Sequence, residues 1–538
     1  MASTFFDFAK RGRPLTFGAL LSIVGCAGGQ DVSETFDSLS DTATETNGDG
    51  DGDPTTGDGD PTGDGDPTTG DGDPTGDGDG DPGCTQAGCE CDGAPDSCDP
   101  GLACVDGMCA SVTCGNGITE SPAEECDDGN DSEGDGCDND CSYTKFLSIA
   151  AGANHTCARI EGGKVRCWGL NSVGQLGYGN TDNIGDNEPA STPGQVVIGG
   201  DADYIHAGTN HTCAILSDET ARCWGAGSTG QLGLGNTENV GDDEFPFNVN
   251  TLTINADILD IQAGSGHTCA LVGAGSVRCW GRNDFGQLGY GNMTDLAIPL
   301  TVDLSLGGTV TQLAVGAHHN CALFDDNSVR CWGYNNTGQL GYGSTDNIGD
   351  NETPGSVPVV PILPQGIPDD AQINQVALGV EHSCVLYDTG DVICWGANFY
   401  GQLGQGTTTT VGDNETLATL QKMELGGDAV SLVLGKHHTC ALMSDNGVKC
   451  WGRNIYGQLG RGDIANIGDD ETPATIDNID LGGEVTWLTA GDYHTCAIIE
   501  EHEILCWGFN DYGQLGYGDT EYRGDDETPA EAGGIDLL

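Results

Sequence analysis

Seven times the chain sets a His two residues ahead of a Cys, with a second Cys ten residues beyond the first. The sets are His155, Cys157 and Cys167; His211, Cys213 and Cys223; His267, Cys269 and Cys279; His319, Cys321 and Cys331; His382, Cys384 and Cys394; His438, Cys440 and Cys450; His494, Cys496 and Cys506. Imidazole and thiolate are zinc ligands, but three per set fall one short of a closed tetrahedral site. The Cys pairs have a better use. Each first Cys lies in a short apolar run such as Cys213-Ala214-Ile215-Leu216, and each second Cys follows a run such as Val277-Arg278. A polar, often Gly-bearing stretch separates them, as Glu161-Gly162-Gly163 does. Two short strands around such a stretch form a β-hairpin. Constant spacing puts the two Cys opposite each other, where a cross-strand disulfide fits. Each bridge is expected to contribute about 2–3 kcal/mol in the chain-entropy model. The His then shares a strand face with its Cys and is expected to be structural, bonding backbone inside its unit. Seven equivalent His cannot all be one catalytic base.

Other candidate groups also recur. Six units carry an acidic turn: Gly185-Asp186-Asn187-Glu188, Gly241-Asp242-Asp243-Glu244, Gly349-Asp350-Asn351-Glu352, Gly412-Asp413-Asn414-Glu415, Gly468-Asp469-Asp470-Glu471 and Gly524-Asp525-Asp526-Glu527. The third unit reads Gly291-Asn292-Met293-Thr294 instead. Repeated oxygen ligands permit calcium; solvated loops are the plainer reading. No other metal or cofactor is called for. No nucleophile–base constellation, phosphate loop or unique carboxylate pair stands out, so no catalytic residue is assigned and the chain reads as a non-enzyme.

The elements that position these groups follow from the period. Each second Cys opens the phrase Cys-Trp-Gly, and each phrase ends in Gly-Gln-Leu-Gly. Copies are mostly 56 residues apart, with one interval of 52 and one of 63. Such a unit is too small to bury its own face, so neighbours must stack. Short strands, many Gly and no helical periodicity point to four-stranded units arranged radially. The expectation is an all-β, seven-bladed β-propeller over 145–538 with one hairpin disulfide per repeat. The Trp of each phrase (Trp168, Trp224, Trp280, Trp332, Trp395, Trp451, Trp507) is expected in the core between blades.

The recurring G-x-x-H-[ST]-x-A-[LI] and W-G-x-N-x-x-G-Q-L-G-x-G pattern resembles the regulator of chromosome condensation repeat family. That resemblance implies a seven-bladed propeller whose sequence repeat is offset from the blade, with the last blade shared between the two ends of the array. The added Cys pairs depart from eukaryotic members and suit an oxidising compartment.

Positions that vary inside the phrase are informative because the structural ones do not. After Trp-Gly stand Leu170, Ala226, Arg282, Tyr334, Ala397, Arg453 and Phe509. Before Gly-Gln stand Val173, Thr229, Phe285, Thr337, Tyr400, Tyr456 and Tyr512. Loops on one rim of a propeller would gather these into a ring rich in hot-spot residue types. Arg282, Phe285, Tyr334, Tyr400, Arg453, Tyr456, Phe509 and Tyr512 are therefore the partner-binding candidates. Partial packing against the next blade is the alternative. An expanded loop around Pro358–Pro368 is a second candidate contact.

The chain has 538 residues and a net charge of −67, with 17 Lys and Arg against 84 Asp and Glu. That balance argues against nucleic acid and against anionic lipid surfaces. In residues 1–25, Lys10, Arg11 and Arg13 precede an apolar run too short to span a membrane. It ends in Ile23-Val24-Gly25-Cys26, which resembles a bacterial lipobox. The resemblance implies cleavage before Cys26 and lipid attachment to its sulfur; an ordinary signal peptide with a chance Cys is the alternative. Residues 26–83, rich in Gly, Asp, Pro and Thr, cannot bury a core and read as a disordered acidic tether. Residues 84–141 hold ten Cys, grouped in 84–109 and 114–141, and read as disulfide-held modules whose connectivity is open. With Cys114-Gly115-Asn116-Gly117, Glu125-Cys126-Asp127-Asp128-Gly129-Asn130, Gly134-Asp135-Gly136-Cys137 and Cys141, the second module resembles a Cys-rich repeat of bacterial surface proteins. Its Asp127, Asp128, Asn130, Asp135 and Asp138 could cup calcium, solvated turns being the alternative.

The functional expectation is a non-catalytic protein-binding or adhesion scaffold. It would be held at a bacterial cell envelope by its N-terminal lipid, the outer membrane or surface favoured, against an unidentified protein partner. The alternatives are guanine-nucleotide exchange by family analogy and a secreted inhibitor of an extracellular enzyme. Exchange sits poorly with an export signal, disulfides and no basic patch.

Overall fold

The computed structural model describes residues 102–105, 108–111, 126, 136–139, 141–362 and 365–538. Cys26, the segments 1–25 and 26–83, most of 84–141, and the calcium candidates Asp127, Asp128, Asn130 and Asp135 lie outside them. Within the Cys-rich region, strands β1 (Leu102–Val105) and β2 (Met108–Ser111) pair antiparallel with Cys104 opposite Cys109. Cys126 is bonded to Cys137. Asp138 is already engaged, accepting from the Thr144 hydroxyl at 2.9 Å.

Seven antiparallel sheets follow, each of three consecutive strands. In the first blade these are β3 (Phe146–Ala151), β4 (His155–Ile160) and β5 (Lys164–Gly169). The seventh repeats the plan with Val485–Ala490, His494–Ile499 and Glu503–Gly508. Six of the seven middle strands, such as His211–Leu216, are buried along their whole length, and the first departs only at half-buried Arg159. They lie between sheets on both faces, so their apolar runs are continuous rather than alternating. The first strands touch one another around the ring and form its inner wall. Gln262, Gln312 and Gln375 each bond the backbone of the next inner strand through both ends of the amide.

Two expectations are corrected. The units are not fully four-stranded. The outermost segment makes one backbone bond to the third strand, as from Val196 N to Val165 O at 2.8 Å and Ile535 N to Ile504 O at 3.0 Å. Pro246, Pro354 and Pro473 stand in these outer turns, and a residue without an N–H cannot continue a ladder. Nor is the last blade shared between the chain ends, because all seven sheets are contiguous in sequence. The ring closes through backbone bonds, Phe146 N to Glu501 O at 2.7 Å and Gly518 N to Gly185 O at 3.1 Å, and through side chains. Trp487 Nε1 donates to Ile149 O at 2.9 Å, and Arg166 donates to the Leu537 carbonyl.

All seven hairpin disulfides are present. The register pairs Cys157 with Cys167 and every later pair likewise. The Cα atoms of each pair are 4.0–4.1 Å apart. The double variant Cys213→Ser/Cys223→Ser should keep the propeller but lose about 2–3 kcal/mol, read as a lower urea midpoint than wild type under non-reducing conditions.

Candidate partner-binding rim

Each blade grips the next with the same four groups. His155 Nε2 lies 2.9 Å from Thr212 Oγ1 of the following blade. Thr212 Oγ1 donates to Gln175 O at 3.1 Å, and Trp224 Nε1 donates to that same carbonyl at 3.1 Å. The hydroxyl proton is used on Gln175, so the imidazole must donate from Nε2. The set repeats around the ring and closes on itself: His494 meets Thr156 at 2.9 Å, and Gln514 O accepts from Thr156 and Trp168. Where His267 meets Asn320 rather than a hydroxyl, the amide keeps both roles, accepting from His267 and donating to Gln287 O. These His are structural, but they bond the neighbouring blade's side chain rather than backbone in their own unit. Two strands in adjacent blades that both face the gap can reach each other, which one unit's sequence does not display.

Close approach of the blades needs Gly at one place. A Cβ at Gly152 would stand 2.3 Å from His155 Cε1 and 2.4 Å from Gly208 O. The equivalent position in the last blade, Gly491, lies as close to Gly152 O. The Gly of the G-x-x-H pattern thus makes room for the ring and for the next backbone.

Above this layer the variable residues form the rim. The residue after Trp-Gly bonds the residue before the His: Tyr334 N to His318 O at 2.9 Å, Arg453 N to His437 O at 2.8 Å, Phe509 N to Tyr493 O at 3.0 Å. The phrase's own loop is held stiffly beneath, with Leu459 N on Asn454 Oδ1 at 2.9 Å and Tyr456 N on Gln458 Oε1 at 3.0 Å.

The eight candidate residues do not form one even ring. Phe285 and Tyr334 pack at 4.3 Å between centroids, with His318 beside them. Arg282 pairs with Asp284 at 2.6 Å. The rest join a longer arc across the fifth to seventh blades. Tyr400 packs on His437 at 5.1 Å, and Tyr456 packs on Tyr493 at 5.5 Å and on Phe509 at 4.9 Å. Tyr512 and Tyr522 complete it against Phe509. The Arg453 guanidinium lies over three of these rings, 4.8 Å from Tyr400, 5.8 Å from Tyr456 and 5.5 Å from Tyr493. Phe399 and Ile455, 56% and 51% exposed, flank the arc.

Sequence reasoning passed over His318, His437, Tyr493, Phe399 and Ile455. His437 and Tyr493 precede a repeated His, and that position also varies among units (Asn154, Asn210, Gly266, Glu381). The same logic applied there would have found them. The expanded loop at Pro358–Pro368 leans on the fifth blade's outer turn, Gln365 N bonding Leu420 O at 2.9 Å.

The acidic turns share this rim. A Cβ on Gly513, at the start of Gly-Gln-Leu-Gly, would strike the Asp186 backbone N at 2.2 Å. Asp242, Asp243 and Glu244, Asp469, Asp470 and Glu471, and Asp525, Asp526 and Glu527 each bring three carboxylates together. Burial and the adjoining Asp243 and Asp526 push Glu244 and Glu527 up to about 7. Their neighbours are Asn239 on Asp242 at 3.2 Å, Asn466 on Asp469 at 3.4 Å and Arg523 on Glu527 at 3.9 Å. The chain enters at the opposite rim, where Tyr143 stacks on His502 at 4.8 Å and Lys145 pairs with Glu501 at 2.9 Å. No helix among the described residues is long and apolar enough to cross a membrane.

A closed ring of seven disulfide-bearing, His-linked blades with its variable side chains on one rim defines a propeller of the regulator of chromosome condensation type. Residues 245–533 match the RCC1-like domain, and 146–175, 205–231 and 162–215 match the RCC1 repeat. The chain belongs to the RCC1 repeat family. Residues 97–142 match a domain of unknown function, DUF4215. The chain is 31% identical over 343 residues to the ultraviolet-B receptor UVR8 of Arabidopsis thaliana, covering 63% of this chain and 71% of the receptor. It is 27% identical to the human E3 ubiquitin-protein ligase HERC2, spanning 66% of this chain but only 7% of the ligase. Among solved structures, yeast RCC1 (Prp20) bound to Kap60 superposes with a TM-score of 0.54 at 18% identity, covering 76% of this chain and 90% of that one. Human WBSCR16 superposes with a TM-score of 0.53 at 21% identity, covering 67% and 92%.

The His ring makes the fold acid-sensitive. Burial pushes His155 and His267 down to about 4. Burial and neighbouring imidazoles push His211, His319, His438 and His494 down to about 3. Between these values and the ordinary 6.5 the unfolded chain binds protons that the folded one refuses. Stability is therefore full above pH 6.5 and lost as pH falls, at about 1.4 kcal/mol per unit for each His. The raised carboxyls of Glu244 and Glu527 act in the opposite sense, weakened by solvent screening. Tm under non-reducing conditions should fall steadily from pH 7 to pH 4.5; a flat profile would contradict the neutral-His ring.

Proposed function

We propose that this chain is a non-catalytic capture propeller, held outside the cytoplasm by a lipid on Cys26, that binds a protein through the aromatic arc of its fifth to seventh blades. One observation carries the binding half. The positions that repeat in all seven units are consumed by the fold, while the non-repeating ones collect Tyr400, His437, Arg453, Tyr456, Tyr493 and Phe509 in contact on one rim. Tyr and Arg in a clustered, partly desolvated patch are the usual anchors of protein recognition. Family relatives support a protein-binding or regulatory role: one is named a receptor, and the yeast protein Prp20 is bound by Kap60 in one structure and binds Gsp1p and histones. The anchoring half rests on the lipobox-like Ile23-Val24-Gly25-Cys26 and on the disulfides, which need an oxidising compartment. Entry of the chain at the far rim would turn the arc away from the anchored end.

Binding is tested by comparing the mature chain with its Tyr456→Ala/Tyr493→Ala variant as baits for envelope and secreted proteins. A partner retained by the first at wild-type affinity should be lost from the second by about 2 kcal/mol or more, with the melting transition still cooperative. Equal retention would exclude the arc. Anchoring is tested separately: Cys26→Ser should move the chain from the membrane fraction to the soluble one, and unchanged fractionation would remove the lipid from the account.

A further inference from the structure

Within the aromatic arc one cation, Arg453, has no polar partner among the described residues; outside the arc, Arg461 also leaves its Nε unpaired. Elsewhere in the propeller, Arg166, Arg222, Arg278, Arg330 and Lys449 sit at one repeated position and donate to backbone carbonyls of the outer turns. Arg282, Lys422, Lys436 and Arg523 pair with carboxylates. Arg453 does neither. Its side chain has no carboxylate or hydrogen-bond acceptor among the described residues, although the chain carries 84 Asp and Glu. Tyr400, Tyr456 and Tyr493 hold it by their rings alone. Ring faces attract a guanidinium but satisfy none of its five N–H donors. Those donors are therefore preorganised, half-buried and unused.

We infer that Arg453 is the anchor for a single carboxylate carried by the protein segment that docks on this arc, flanked there by apolar side chains that rest on Phe399 and Ile455. The inference rests on the protein-binding reading above and names the chemistry of its contact. A planar guanidinium held in place by rings takes a carboxylate through two parallel hydrogen bonds with little further loss of freedom. Adjacent His437 is pushed down to about 4 by its burial and by Lys436 and Arg453, so it stays neutral and leaves Arg453 as the charge that selects. Asp492 and Asp511 lie on the same rim, which disfavours an acidic run and admits one carboxylate in an otherwise apolar or basic segment. The rings do not offer a sugar platform. They pack edge-on or tilted, 72° between Tyr456 and Tyr493 and 52° between Tyr456 and Phe509, and leave no open set of parallel faces.

Calorimetric titration of the full mature chain tests this with two blocked peptides, Gly-Phe-Glu-Ile-Gly and its Gln counterpart, and with oligogalacturonate as a carbohydrate carboxylate. The Glu peptide should bind about tenfold or more tighter than the Gln peptide. Arg453→Gln should erase that preference while its melting temperature and Tyr signals stay near wild type, and Arg453→Lys should restore part of it. Equal binding of the two peptides, no binding of the Glu peptide at about 1 mM, or a preference that survives Arg453→Gln would overturn the anchor. Oligogalacturonate binding more tightly than the Glu peptide would overturn the choice of a protein segment. A captured partner that depends on Tyr456 and Tyr493 but ignores Arg453→Gln would remove this inference and leave the protein-binding reading standing.

Discussion

Everything in this propeller depends on the contact between one blade and the next, where a polar layer runs through continuous apolar packing. A ring of short, buried middle strands brings seven imidazoles, their hydroxyl or amide partners, seven indole N–H groups and the Gln carbonyls into the dry gaps between sheets. Unpaired, each such group would cost about 1–3 kcal/mol. Paired across the gap, they fix both the spacing and the register of adjacent blades. The arrangement also explains why the pairs are spread over two units. His155 Nε2 finds its acceptor in Thr212, and the Thr212 hydroxyl proton finds its acceptor in Gln175, so no blade completes this hydrogen bonding alone. The same requirement, applied to the last blade, selects Thr156 and Gln514 and closes the ring.

The disulfides work at right angles to this. They join the second and third strands inside one blade, with Cys157 Sγ 4.0 Å from Thr212 Oγ1 and Cys269 Sγ 3.7 Å from Asn320 Oδ1 of the next. Within a blade the ladder is short, and its outer edge ends after a single backbone bond at turns that carry Pro. A cross-strand bridge compensates for a sheet that cannot extend outward. The buried cations serve the same edge from another direction. Lys449 reaches the carbonyls of Leu425 and Pro473, in the outer turns of two successive blades, and Arg166 does so across the closure with Ser191 and Leu537. In a chain so poor in Lys and Arg, cations at one repeated position mark how much these orphaned carbonyls need donors.

Much of this was legible because repetition converts a sequence into its own comparison. Fixed Cys spacing gave the hairpin bridges, and the period gave the number of blades. What failed was anything decided between units. The His partners were assigned to backbone within a unit, since Thr212 and Gln175 are 37 residues apart and nothing in one repeat joins them. The fourth strand was expected from architecture, and the Pro residues that shorten it were visible but unweighed. The shared last blade came from the family resemblance; here the array begins at an inner strand, so each sheet is complete in one stretch. The rim was half seen. Variation after Trp-Gly and before Gly-Gln was noticed, whereas the equally variable residue before each His was hidden beside an invariant one.

That half-seen rim shows where binding can reside in a repeat protein of this kind. A residue present in every unit is surrounded alike seven times, and a site built from such residues would occur seven times. A single partner requires broken symmetry. The first two blades offer Leu170, Val173, Ala226 and Thr229, and Thr229 spends its hydroxyl on Gln231 and the Gly266 carbonyl. The last three offer a continuous set of rings around one guanidinium. Because Asn454 and Gln458 pin the Arg453 loop as their equivalents do in every unit but the second, where Gly227 replaces the Asn, the arc inherits a rigid floor from the fold. Preorganisation and individuality thus come from different positions of one phrase: the invariant ones hold the backbone, and the variable ones face outward on a surface whose entropy of ordering has already been met by folding.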